Sequence, residues 1–298
     1  MRLVTRADLD GLTSAVIITS CERIDEITLA HPQDITDKKL EVTSEDILAN
    51  LPYHPGCGKW FDHHLLTQSN ERPPEKFEGR YGLAPSAARV VFEYYVEHHP
   101  EIARYEPLLL ETDRLDSAQL NIDDVLDPKD FILLGYTLDP RTGLGAYRDY
   151  FLKLLAWLKE KPIAAILAEP AVEERIHRLR EQDLKFREET VAHSRLDKNV
   201  VITDFRSVKS VPVGNRFIVY TLFPQANISL RLHGGPTADV VAAAVGHSIF
   251  NRTSRTNVGE LMSRYGGGGH KGAGTCLLPT AQADALAAEM VGVMKKDG

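Results

Sequence analysis

Four short runs of this sequence of 298 residues carry the side chains able to do chemistry. The first is T-R-A-D-L-D-G at residues 5–11, where Asp8 and Asp10 stand two apart next to Gly11. Two carboxylates held that close repel each other unless a cation lies between them, and hard oxygen donors suit Mg²⁺ or Mn²⁺. The plain alternative is a helix cap, a job that Asp10 ahead of Gly11 and Leu12 could do alone. The second run is W-F-D-H-H at residues 60–64, which places Asp62, His63 and His64 directly after an apolar strand. In an open parallel sheet the carboxyl ends of the strands collect the functional groups. That context separates this run from the surface pair His98 and His99. The third, L-E-T-D-R-L-D-S at residues 110–117, puts Asp113 and Asp116 three apart, a spacing that shares one helical face. Solvated surface charge is its plain alternative.

The fourth run is R-Y-G-G-G-G-H-K-G-A-G at residues 264–274. Consecutive glycines let backbone N–H groups approach a ligand closely and form a nest suited to an anion. His270 and Lys271 add positive charge there, and residues 251–271 hold Arg252, Arg255, Arg264 and Lys271 against the lone acid Glu260. A hinge would not need such neighbours, and phosphate is the natural partner. Arg252, Arg255, Gly267, Gly268, Gly269, His270 and Lys271 are the expected substrate-binding residues.

The elements that must position these groups read as α/β. Short strands are expected at 3–5, 26–30, 47–51 and 59–61, with helices over 12–20 and from 85–86 to 96. Strand–turn–helix repetition argues for a mostly parallel sheet with covering helices. Residues 100–194 read as mainly helical, ending in a long charged connecting helix over 173–189. Strands follow at 199–203, 217–222 and 228–232, a buried apolar run at 240–245, and a closing helix over 281–295. The expected organisation is a first domain over 1–170, a linker helix over 171–196 and a smaller α/β domain with a mixed sheet over 197–298. Specificity groups are expected in loops such as 73–82 and 143–148.

Composition narrows the class. Hydrophobic residues make up 43% and charged residues 26%, an ordinary globular balance that excludes a disordered chain. The charge sum of 35 − 42 = −7 argues against a globally basic nucleic-acid coat or a polybasic membrane binder. Cys21, Cys57 and Cys276 are widely spaced with no C-x-x-C pair, which fits a reducing compartment. The N-terminus turns acidic too early for a signal peptide, and no apolar run approaches a membrane span. A cytoplasmic protein is expected.

Taken together, Asp8-Leu9-Asp10-Gly11, Asp62-His63-His64, Asp113 and the run from Gly266 to Gly274 resemble the DHH phosphoesterase family, over nearly the whole chain. The nearest resemblance is to its exopolyphosphatase-like, nano-oligonucleotide phosphatase-like branch. The resemblance implies a DHH domain with a two-metal site, normally manganese, and a DHH-associated domain that holds the phosphate or nucleotide. By the same resemblance Asp8 serves the first metal and Asp10 the second, with His63 and Asp113 completing the second metal's set of ligands. Asp62 supports His63, His64 faces the phosphate, and Asp116 is the alternative to Asp113.

Two positions depart from the family pattern. Arg6 stands where the family has His or Asp, and Asn50 stands where it has a bridging aspartate; Asp46 lies at the other end of that strand. A doubly charged ion about 4 Å from a guanidinium feels roughly 8 kcal/mol of repulsion at an effective dielectric of ~20. Asn50 also lacks the negative charge that would offset it. The expectation is therefore a first site taken over by Arg6, which pairs with Asp8, and a single Mn²⁺ or Mg²⁺ held by Asp10, His63, Asp113 and Asn50. The catalytic set is Arg6, Asp8, Asp62 and His64. The first functional reading is a phosphoesterase acting on a nucleotide, short oligonucleotide or other small phosphorylated substrate. The second is a nucleotide- or phosphate-binding regulatory protein without turnover, and a nuclease trimming single-stranded ends comes third. Long nucleic acid and membranes are not expected partners; a homodimer is compatible.

Overall fold

In a computed structural model, residues 1–64, 74–138 and 147–298 are described. Residue 73 and residues 143–146 of the two expected specificity loops lie outside the described residues. The chain divides into two compact units, one of Met1–Leu120 with Pro128–Leu179 and one of Asn121–Asp127 with Arg180–Gly298.

The elements of the first unit begin with β1 (Arg2–Thr5), α1 (Leu9–Cys21), β2 (Glu26–Leu29), α2 (Pro32–Thr36), β3 (Asp46–Ala49), β4 (Lys59–Asp62) and β5 (Gly79–Tyr81). Helices α3 (Ala87–Tyr95) and α4 (Glu106–Asp116) follow; α5 (Ile122–Leu126) belongs to the second unit. Helices α6 (Asp130–Thr137), α7 (Tyr147–Glu160) and α8 (Ile163–Leu167) complete the first unit, and α9 (Pro170–His193) runs on into the second.

The first sheet has the order β2-β1-β3-β4-β5, and every pairing in it is parallel. Its strands read as continuous apolar runs because both faces are covered. Leu3, Ile47, Ala49 and Phe61 face one core, under α1, α3 and α7. Val4, Leu48 and Trp60 face the other. Trp60 locks that second face: its indole N–H donates to the Leu51 carbonyl at 2.9 Å, and its ring stacks on Tyr81 at 5.0 Å. At the foot of β3, buried Asp46 is fixed by the Arg2 guanidinium at 2.7 and 2.8 Å. The strand order reverses direction at β1 and β3, which makes their carboxyl ends a topological switch point, the place where open α/β sheets bind ligands.

The second unit continues with β6 (Ser194–Asp197), β7 (Val200–Asp204), α10 (Ile218–Leu222), β8 (Ile228–Gly234), β9 (Val240–His247), α11 (Val258–Ser263), β10 (Gly268–His270), β11 (Ala273–Pro279) and α12 (Ala283–Lys296). Its sheet runs β10-β11-β9-β8-β7-β6 and is mixed, β7 and β8 being parallel and the other pairs antiparallel. Ile202, Leu230, Val245 and Cys276 pack with Met290 and Met294 of α12 in its core. The strand expected at 217–222 is a helix. Its β-branched and aromatic residues favour extended backbone, but Val219 and Tyr220 pack with Val201 as one turn of helix. Among the described residues no helix is long and apolar enough to cross a membrane.

Candidate active site

The carboxyl ends of β1, β3 and β4 bring the first unit's candidate residues together. Helix α1 starts directly after the β1 end, with Asp8, not Asp10, as its N-cap: the Asp8 carboxylate accepts the Gly11 amide at 2.9 Å. Gly11 is required here, since a Cβ would lie 2.1 Å from the Arg6 carbonyl oxygen. The Arg6 guanidinium meets the other Asp8 oxygen at 3.1 Å, so the pair expected from the sequence is present. Asn50, just past β3, takes a left-handed φ of 58°, which asparagine tolerates better than most residues. Its amide donates to Asp8 at 3.1 Å, while its Oδ1 is buried with no hydrogen-bond partner.

Asp10 lies in the first turn of α1, 2% exposed, and its two oxygens accept the Ala87 and Ala88 amides of α3 at 3.0 and 2.7 Å. Those amides favour a negative charge. Burial nevertheless dominates and, with the nearby Asp116 and Asp8 carboxylates adding to it, pushes the Asp10 pKa up to about 8.

Asp62 ends β4. It accepts the His63 amide at 2.9 Å and the His64 ring Nδ1 at 2.7 Å. The expected support of the His63 ring by Asp62 is therefore not what forms; Asp62 holds His64 and raises its pKa. The His63 ring donates instead from Nδ1 to the Ala84 carbonyl at 2.9 Å. That bond fixes which nitrogen holds the proton in the neutral ring, so that Nε2 is the atom able to offer a lone pair. His63 Nε2 is buried without a hydrogen-bond partner, 3.8 Å from Asp10 and 3.3 Å from Asp116.

Asp113, the expected ligand, is elsewhere. Its carboxylate accepts the Ser86 hydroxyl at 2.6 Å and the Arg89 guanidinium, Nε at 2.9 Å and Nη2 more closely still. The group that joins Asp10 and His63 is Asp116, one turn further along α4. Asp10, His63 and Asp116 have ligand atoms all within 4.8 Å of one another, as do Asp62, His63 and His64. The i, i+3 spacing of Asp113 and Asp116 was the only sequence signal for this exchange. Nothing in it pointed to Arg89, which decides which of the two carboxylates is engaged.

These residues fit a divalent cation. A lone pair on buried His63 Nε2 aimed at two carboxylates is unfavourable without positive charge between them. Imidazole and carboxylate are donors that Mn²⁺ and Mg²⁺ accept.

In the second unit the glycine run is less a loop than a tight hairpin. A Cβ on Gly267 would sit 2.1 Å from the Thr275 carbonyl oxygen, and one on Gly269 2.3 Å from that of Ala273. These glycines thus serve packing, a role not expected from the sequence, where they read as a nest for an anion. The Gly266, Gly267 and Gly272 amides are used internally, by Ser263, Met262 and His270. His270 and Lys271 are exposed at the hairpin tip. Arg252 and Arg255 are exposed too, and Arg255 is anchored to the Asp297 carbonyl at the end of α12.

An Asp/His cluster at the switch point of a parallel sheet, with a glycine-hairpin unit after it, defines a metal-type phosphoesterase architecture. The chain belongs to the DHH phosphoesterase family. It matches a solved pGpG-specific phosphodiesterase, PggH from Vibrio cholerae, with 38% identity and a TM-score of 0.85, covering 100% of this chain and 99% of that one. A DHH domain solved from a member of a ribosomal-protein family shares the fold at 13% identity and a TM-score of 0.68, covering 98% of this chain and 85% of that one. RecJ from Thermus thermophilus, solved in complex with Mn²⁺, does so at 13% identity and a TM-score of 0.60, covering 99% of this chain and 52% of that one. No family model and no curated protein sequence matches the chain.

Proposed function

We propose that this protein is a hydrolase of short linear dinucleotides such as pGpG, cleaving the internal phosphodiester with water to give two mononucleotides. Full-length similarity at 38% identity to a pGpG-specific phosphodiesterase carries the reading, and the Asp10–His63–Asp116 cluster supports it. Asp10, His63 Nε2 and Asp116 would hold one Mn²⁺ or Mg²⁺, with the unpartnered Asn50 Oδ1 as a further acceptor. When bound, such an ion supplies Lewis acidity toward phosphate oxygens.

The remaining roles fall to the chain itself. Arg6, at the switch point and a third exposed, offers a fixed positive charge to a phosphate in place of a first metal. His64 is held through Nδ1 by Asp62, whose hydrogen bond raises its pKa and so favours the protonated ring. The Nε2 proton goes to the ribose oxygen as the P–O bond to it breaks and water oxygen bonds to phosphorus, and the proton that this water sheds returns the ring to its charged form. His270, Lys271, Arg252 and Arg255 provide the cationic groups for the substrate's terminal phosphate.

The test is incubation of purified protein with pGpG, a cyclic dinucleotide and a longer oligonucleotide, with Mn²⁺ or with EDTA, followed by chromatography. Mn²⁺-dependent release of mononucleotide from pGpG is expected. Binding of pGpG without any cleavage would replace this reading with that of a non-hydrolysing nucleotide-binding protein.

A further inference from the structure

Both oxygens of Asp113 are engaged beside the metal-type cluster, yet Asp113 does not join the cluster. What it touches gives it a different task. Ser86 is the N-cap of α3, accepting the Arg89 amide at 3.0 Å while its own hydroxyl proton goes to Asp113 at 2.6 Å. Arg89 reaches from the first turn of α3 to the second Asp113 oxygen through two nitrogens. Such a two-pronged guanidinium–carboxylate contact fixes direction as well as distance. The first turn of α3, with its amides on Asp10, is therefore tied to α4 at the residue one turn before Asp116.

A second tie acts beside it. Thr112 of α4 shares a hydrogen bond of 2.8 Å with Thr13 of α1, one turn after Asp10. Asp10, on α1, and Asp116, on α4, thus have their relative placement set through α3 and through this threonine contact.

We propose that Asp113, with Ser86 and Arg89, is a positioning clamp that sets the metal affinity of the Asp10–His63–Asp116 site without contacting the ion. This rests on the reading that those three residues hold a divalent cation. The Arg89 charge neutralises Asp113, so Asp113 lends no net attraction to the ion. Its contribution is the separation of Asp10 from Asp116.

The experiment is titration of full-length protein with Mn²⁺ alone, free ion being counted by electron paramagnetic resonance, alongside melting curves in EDTA. Asp116→Asn is expected to lose binding outright. Asp113→Asn and Arg89→Gln are each expected to weaken it by about 10- to 100-fold, the usual effect of removing a residue that orients a ligand. The double variant should be no weaker than either single, because the two act as one unit. Ser86→Ala, which keeps both charges, should weaken binding in the same direction and serves if Asp113→Asn does not fold. Complete loss in Asp113→Asn with wild-type affinity in Arg89→Gln would make Asp113 a ligand and overturn the clamp. Lowered melting temperatures with unchanged Mn²⁺ affinity would reduce it to a structural contact. Wild-type affinity in Asp116→Asn would remove the metal reading itself, and the clamp with it.

Discussion

On the proposed one-ion reading, exchanging Arg6→His together with Asn50→Asp should raise the number of bound ions from one to two. Both Asp8 oxygens are spoken for: Arg6 at 3.1 Å on one and the Asn50 amide at 3.1 Å on the other. A divalent ion taking up Asp8 would displace the guanidinium or stand close beside it, against a repulsion of about 8 kcal/mol at ~4 Å. With Asn50→Asp alone, a carboxylate would face Asp8 across that same 3.1 Å separation. The raw repulsion is about 5 kcal/mol at an effective dielectric of ~20. Asp8 is 30% exposed and water screens it, so a net loss of about 2 kcal/mol is a reasonable size. That corresponds to a fall of roughly 4–8 °C in melting temperature for a unit of this length. Excess Mn²⁺ should reverse the fall in the double variant, by mass action on the folded state. Counting bound Mn²⁺ per chain should give one for the natural sequence and two for the double variant. Two ions in the natural sequence, or one in both proteins, would refute the reasoning about Arg6.

Three further outcomes are expected. Asp10 binds its proton more tightly folded than unfolded, so its contribution to stability is fully present below about pH 4 and is lost as pH rises through about 8. In EDTA the melting temperature should drop between about pH 5 and about pH 8.5, and Asp10→Asn should flatten the slope; a natural protein that gains stability over that range contradicts the assignment. Asp62→Asn removes the partner that raises the His64 pKa, so the alkaline limb of the pH–rate profile should move to lower pH; an unmoved limb excludes His64 as the proton donor. Gly267→Ala forces a Cβ against the Thr275 carbonyl and should cost about 1–3 kcal/mol of stability, an overpacking effect, seen as a lower denaturation midpoint in urea.

The strand ends were readable because short apolar runs stop at Asp, His or Asn, and a parallel sheet must expose those ends together. The charged α9 and the closing α12 were readable from helical spacing. The exchange of Asp113 for Asp116 was not, because residues three apart share a helical face and the choice rests with Arg89, 24 positions earlier. Nor was the Asp62–His64 pair, since which of two adjacent imidazoles turns to the carboxylate depends on the Ala84 carbonyl capturing the other. The helix at Ile218–Leu222 was hidden by residues whose local preference is extended and whose conformation is set by packing with Val201.

Asn50 has one more consequence. Aspartate shares asparagine's tolerance for the left-handed backbone seen here, and the codons of the two residues differ by a single base. The same backbone can therefore carry an acid at this corner, at the cost of its repulsion from Asp8. Because Arg6 engages the other oxygen of the same Asp8, a change of ion count asks for both positions to change together, and the two letters form one unit of inheritance.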